Sequence, residues 1–180
     1  MTSTSLTIAP GIYHLDPVHS SAGFTVRHKV SKFRGSFTEL DGTLRVSDAG
    51  EVHLSGTARV ASIVVKSGAM EADLLSPRFF DAERYPQISF ESTSISVAAD
   101  GAITVTGDLT MRGHTESVTA SGSLSTVEDD GHGRRLVGID LETIVDRTQF
   151  GISFVQQLPG GEAAVETDVT LNVELEFAST

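Results

Sequence analysis

The residue types able to do chemistry in this 180-residue chain are few and scattered. Its six histidines form no H-x-x-x-H or H-E-x-x-H pair, the spacing that turns two imidazoles toward one zinc ion. His14, His19 and His28 are close enough in sequence to converge on a metal, although three separately satisfied rings explain them as well. Asp140, Glu142 and Asp146 put three carboxylates on one strand, but no base or nucleophile stands beside them to complete an acid–base pair. There is no G-x-S-x-G elbow, and no glycine-rich phosphate loop joins a strand to a helix. Gly131-His132-Gly133 falls in a turn between strands. The absence of cysteine removes disulfides, thiolate metal sites and cysteine nucleophiles. The chain is therefore expected to have no catalytic centre, no metal site and no cofactor.

Charge is the second chemical signal. The formal net charge is −11 and the sequence pI about 4.8, so most of the surface would repel a phosphate backbone and nucleic acid is a poor partner. Arg27, Lys29, Lys32 and Arg34 run against this background, four cations within eight positions. They read either as a solvated hairpin face balancing local acid or as an anion-binding patch beside a cavity entrance. His28 shares strand parity with Phe24 and Val26 and so points inward, either as a satisfied core histidine or as a contact to a ligand head group.

These side chains must be positioned by β-strands, because apolar and polar residues alternate along nearly the whole chain. Turn signals at Asp48-Ala49-Gly50, Asp100-Gly101, Arg112-Gly113-His114 and Pro159-Gly160-Gly161 divide it into about eight strands with no βαβ rhythm. Ile12 to Lys29 reads as one long strand bent at Pro17, which lacks a ladder donor. Phe33-Arg34-Gly35 reads as a turn and Asp41-Gly42 as a bulge. Val137 to Phe154 reads as one strand closed by Phe150 and Phe154. An even number of antiparallel strands can close with no free edge, and eight leave room for packed side chains or one small ligand. The expected fold class is all-β, an eight-stranded antiparallel β-barrel in a single domain over residues 1–180, with 1–11 flexible.

The alternation fails in one place, Met70–Phe90. Met70, Leu74 and Leu75 fall on a helical stripe, Phe79 and Phe80 stand side by side, and Ser76-Pro77 fits a helix start. A short apolar helix in a β chain must bury its apolar face, and the mouth of the barrel is the place for it: a plug or lid. Gly56, Ala58, Ala120 and Gly122 are small residues among large inward neighbours. They either accommodate barrel taper or leave volume for an elongated apolar ligand. No run approaches the ~20 apolar residues of a membrane span. The N-terminus has neither a positively charged start nor a 7–15-residue apolar core, so the chain as written reads as cytoplasmic, and as periplasmic if a leader was removed.

Several short motifs recur in order: Tyr13-His14-Leu15-Asp16-Pro17 followed by His19-Ser20-Ser21-Ala22-Gly23-Phe24-Thr25-Val26-Arg27-His28, then Gly35-Ser36-Phe37 and Asp41-Gly42-Thr43-Leu44. Leu75-Ser76-Pro77-Arg78-Phe79-Phe80-Asp81 and Tyr85-Pro86-Gln87-Ile88-Ser89-Phe90-Glu91-Ser92 follow. Gly107 to Gly113, Asp146-Arg147 and Phe150-Gly151 complete the set. Each alone is weak, but in this order and spacing the chain resembles the YceI-like family of polyisoprenoid- or lipid-binding bacterial proteins, over almost its whole length.

The resemblance implies a lipocalin-like barrel around a long isoprenoid or fatty amphiphile, and a possible homodimer. The chain departs from many relatives in showing no leader and in a less polar stretch at Val65–Glu71. The expected function is non-enzymatic binding, transport or storage of a polyisoprenoid, isoprenoid quinone or polyprenyl phosphate. Apolar contacts are expected from Phe24, Val26, Phe37, Leu74, Leu75, Phe79, Phe80, Phe90, Leu109, Met111, Phe150 and Phe154. Arg27, His28 and Arg147 are candidates for a polar or anionic head. Two alternatives stay open: a small-molecule or metal-dependent enzyme using pocket histidines and acids, and a structural barrel with a packed interior.

Overall fold

Period-two alternation turns one face of every strand inward, and the sheet it builds closes on itself. The computed structural model describes residues 6–180. Its strands are β1 (Gly11–Leu15), β2 (Ser21–His28), β3 (Ser31–Phe37), β4 (Leu40–Val46), β5 (Val52–Arg59), β6 (Ile63–Val64), β7 (Gln87–Val97), β8 (Ala102–Met111), β9 (His114–Val127), β10 (Leu136–Asp146) and β11 (Val165–Ser179). One helix, α1 (Gly68–Leu75), lies between β6 and β7. It is too short to cross a membrane, and no helix among the described residues is long and apolar enough to do so. Residues 1–5 of the segment expected to be flexible lie outside the described residues. Of the remainder, Ile8 is buried and Gly11 opens β1.

The eleven segments make eight staves of a closed antiparallel barrel. β1 and β2 run end to end along one edge of β11, Tyr13 opposite Ser179 and Phe24 opposite Leu171. The break between them spans the turn at Pro17, where the expected bend falls. Asp16 N donates to Glu176 O at 2.8 Å and Glu176 N to Ser20 Oγ at 3.0 Å, so the broken stave stays on its neighbour. β3 with β4, and β5 with β6, are likewise bent staves. Ser62 holds both bends: its hydroxyl donates to Arg59 O at 2.6 Å and accepts from Thr38 N and Glu39 N. Pairing of β1 with both β4 and β11 closes the ring.

Four expectations are corrected. Phe33-Arg34-Gly35 lies within β3, and the chain turns earlier, at Lys29-Val30. Gly35 is needed there for packing: a Cβ would stand 2.5 Å from the Phe24 ring. Asp41-Gly42 makes no bulge, since the β4–β5 register runs unbroken from Leu40–Ala58 to Val46–Val52. The facing changes at the β3–β4 bend instead. Ser76-Pro77 ends a helix where a start was expected: α1 begins after Ser67, whose side chain accepts from Met70 N, and Ser76 is its C-cap. Proline fits there because it disfavours helix in the residue before it. Phe150 and Phe154 lie beyond β10, which stops at Asp146 as its carboxylate accepts from Thr148 N and Oγ1 at 2.9 and 2.6 Å.

Close approach of β9 and β10 accounts for Gly122. It is exposed, and a Cβ there would meet Asp140 O at 1.9 Å, a backbone atom that cannot swing away. Of the two readings of the small residues, barrel bending explains this one. Gly122→Ala should therefore lower stability by about 1–3 kcal/mol, the usual cost of overpacking, read as a shift in the urea midpoint. A change under about 0.5 kcal/mol, ordinary for surface sites, would show that the two strands separate freely.

Candidate functional site

Inward side chains fill one half of the barrel and leave the other half hollow. Tyr13, Leu44, Ile103, Val137, Ile139 and Phe177 pack the half that carries the β4–β5 and β7–β8 turns, each 0–1% exposed. In the other half Gly56, Ala58 and Ala120 stand where large residues would close the space, and a cavity of about 470 Å³ remains. That is within the roughly 300–1,000 Å³ of small-molecule sites. Leu54, Val105, Leu141 and Phe177 form its floor, and Phe90, Leu109, Met111, Val145, Val169 and Leu171 its wall. The Phe90 ring packs on Gly107, where a Cβ would stand 2.5 Å from it.

The segment from α1 to Pro86 covers the open end, as a plug. Leu74 is buried, and Phe80 meets Phe37 edge-on at 5.7 Å and Phe24 at 6.5 Å between ring centroids. Such aromatic pairs contribute about 0.5–1.5 kcal/mol beyond their buried area. Phe79 faces Phe154 of the β10–β11 loop at 5.3 Å, and the Arg78 guanidinium lies 4.3 Å from the same ring. Plug and loop thus meet over the cavity.

Two arginines tie this cover to the staves. Arg112, in the β8–β9 turn, donates to Gly151 O and, at 2.8 Å, to Pro77 O, one on each side of the cover. The turn suits this job: Arg112 and Gly113 both have positive φ, and Gly113 sits against Tyr85, leaving no space for a Cβ. Arg147 is buried and lines the cavity. Its Nε donates to Glu166 O at 3.0 Å, Nη1 to Ile152 O at 2.7 Å and Nη2 to Val165 O at 3.4 Å. Burial pulls its pKa below the usual guanidinium value, with nearby Asp146 opposing. No carboxylate pairs with it among the described residues, so a buried positive charge faces the hollow half.

The residues singled out from sequence divide as follows. Phe24, Val26, His28, Phe37, Leu74, Phe79, Phe80, Phe90, Leu109, Met111, Arg147, Phe150 and Phe154 all line the cavity. Arg27 does not: it is exposed on the outer face of β2, because strand parity opposes it to Val26 and His28. Leu75, the last residue of α1, packs against the cluster of Phe24, Phe37, Ile63 and Leu74 without lining the cavity. The His28 ring has no hydrogen-bond partner among the described residues and does not meet His14, which pairs with Thr43 and Ala178 toward the filled end. His19 instead joins Asp16, 2.8 Å away, and Glu176, 3.8 Å away, outside the cavity; the bond to Asp16 raises the imidazole pKa and lowers the carboxyl. Glu142 accepts from Asn172 on the outer surface and Asp146 caps its turn, so these acids have structural partners. Arg112 and Arg78 were not foreseen. Their sequence signal, a basic residue beside a turn and beside a proline, is too common to single them out.

If Arg112 is the latch of the cover, Arg112→Ala should speed amide exchange at residues 76–82 and 147–152 while the β7–β10 ladder keeps its protection. Equal protection in both regions would show that the plug is held by its apolar contacts alone.

Comparison with known proteins agrees with this architecture. The YceI-like domain model matches residues 13–177. A UPF0312 protein of Staphylococcus aureus is 29% identical over 170 residues, covering 92% of this chain and 96% of its own length. Among solved structures, Burkholderia cenocepacia BcnA aligns with a TM-score of 0.74 at 21% identity, over 90% of this chain and 98% of that one. A Campylobacter jejuni YCEI protein gives 0.73 at 20%, over 86% and 89%. A polyisoprenoid binding domain from Saccharophagus degradans gives 0.61 at 16%, over 93% and 98%. At these identities the structures speak for the shared barrel. The family match runs from the first stave to the last, and the chain belongs to the YceI-like family.

Proposed function

We propose that this barrel binds, without catalysing a reaction, the chain of a long apolar amphiphile such as a polyisoprenoid, isoprenoid quinone or polyprenyl phosphate, and carries or stores it. The observation that supports this best is the cavity itself, hollow beside a fully packed half, lined almost wholly by apolar side chains, and covered by an apolar plug. The driving force is burial. Each CH₂ taken from water contributes about 0.8 kcal/mol, so a few isoprene units outweigh the cost of immobilising one ligand. The polyisoprenoid binding domain of Saccharophagus degradans, which shares the fold, supports the ligand class.

Arg147 supports an orientation. Guanidinium offers five N–H donors, and three bonds to carbonyls are made. A phosphate or quinone oxygen near the mouth would find a charged donor there, with His28 also on the cavity lining. The chain would then run inward to the floor at Leu54 and Phe177.

Native mass spectrometry of the purified protein, with organic extraction of the same sample, tests the reading. A stoichiometric adduct that extracts as a prenyl or acyl lipid is expected. A mass that stays that of the bare chain after incubation with quinones and polyprenyl phosphates would contradict it. Ala120→Phe, which fills the hollow half, and Phe79→Asp, which puts charge in the plug, should both cut occupancy severalfold while circular dichroism shows an intact barrel.

A further inference from the structure

The hairpin of β2 and β3 carries features that ligand binding inside the barrel does not use. Its inner face lines the cavity through Val26, His28 and Phe33. Its outer face and tip hold Arg27, Lys29, Lys32 and Arg34, all exposed and none in an ion pair among the described residues. Among the described residues elsewhere, Arg59, Arg78, Arg84, Arg134 and Arg135 are paired with carboxylates, while Arg112 and Arg147 are taken up by backbone carbonyls. Arg27 lies directly opposite Lys32 in the ladder, an arrangement of like charges that disfavours the strand pair. On a chain of net charge −11, this is a cationic projection at the rim of the cavity.

The tip is equally unusual. Val30 is 92% exposed, and Lys29 holds φ at 52° in a two-residue turn that Asn and Gly normally occupy. A strained turn that displays valine between lysines has no packing explanation here. Lys32 and Arg34 also discourage pairing along the outer edge of β3, of which only Ser36 and Phe37 meet β6. That role leaves Arg27, Lys29 and Val30 unexplained. Val155 is exposed as well, on the β10–β11 loop, which runs beside the hairpin tip: Lys29 N donates to Ala164 O, and Ala164 N to Gln156 O.

From this geometry we infer that the Lys29-Val30 hairpin docks the mouth onto a bilayer surface bearing anionic head groups, with Val30 entering the interface and the four cations lying on the lipid phosphates. The inference rests on the cavity reading for its purpose: a long apolar chain passing through water would lose the burial that holds it, so exchange needs the mouth against the membrane. Basic residues near an anionic surface each strengthen binding about fivefold, and an aliphatic tip adds contact that salt does not screen.

The test is flotation with vesicles of phosphatidylglycerol mixed with phosphatidylcholine, against phosphatidylcholine alone. The protein should float with the anionic vesicles at low salt and detach as salt rises. K32E/R34E should weaken this by at least about tenfold. Unfolding would not explain such a loss, because Glu at 32 faces Arg27 and should favour the hairpin. Val30→Asp should weaken it comparably. Both variants should load a prenyl lipid from detergent as the parent does, read by native mass spectrometry. No flotation of the parent with anionic vesicles, or flotation of both variants equal to the parent, overturns the inference. Flotation by a parent that loads no lipid would uphold the docking surface and refute the cavity reading instead.

Discussion

An eight-stranded barrel has an interior only as wide as the side chains that fill it, and everything else in this molecule follows from how that width is used. Aromatic and branched residues pack one half until no space is left. Three small residues, Gly56, Ala58 and Ala120, leave the other half open. A hollow half with an open end would expose its apolar lining to water. The plug from α1 to Pro86 answers that constraint, and its aromatics do not seal a finished core so much as complete an unfinished one.

The cover is held unevenly. Phe79, Phe80 and Leu74 give it non-directional apolar contact, while Arg112 and Arg147 anchor it through backbone carbonyls. Hydrogen bonds from charged donors contribute about 1.5–3 kcal/mol each where buried, and they reach the cover at Pro77, midway along the plug, and at Gly151 and Ile152 in the β10–β11 loop. The rest of the plug is held by apolar contacts such as those of Leu74 and Phe80. A lid pinned at a few carbonyls and otherwise held by apolar contact suits a site that must admit a long chain yet exclude water.

Strand parity made most of this legible in the sequence. It put Phe24, Val26, His28, Leu109 and Met111 on the inner face, and the break in alternation at Met70 located the plug. Parity also shows that Arg27 must face out, a consequence missed when it was grouped with the head-group candidates. Three of the four fold corrections share one cause: glycine and serine have more than one use. Gly35 resembles a turn residue but is the seat of the Phe24 ring, and Ser76-Pro77 resembles a helix start but is a helix end. Which use applies depends on what packs across the sheet, and Phe24 is eleven residues away from Gly35 in a partner strand. The role of Arg112 was invisible for the same reason, since its acceptors lie 35 and 39 residues away.

The central claim is that an apolar chain lies in the hollow half beneath the plug. Photocrosslinking tests it most directly, using a prenyl or acyl probe with a diazirine in its tail and mapping of the labelled peptides. Label on Leu74–Phe80, Met111, Phe150 and the inner positions of β2 and β11 is the result this account predicts. Label confined to the outer surface, or absent under conditions where the probe binds, would contradict it.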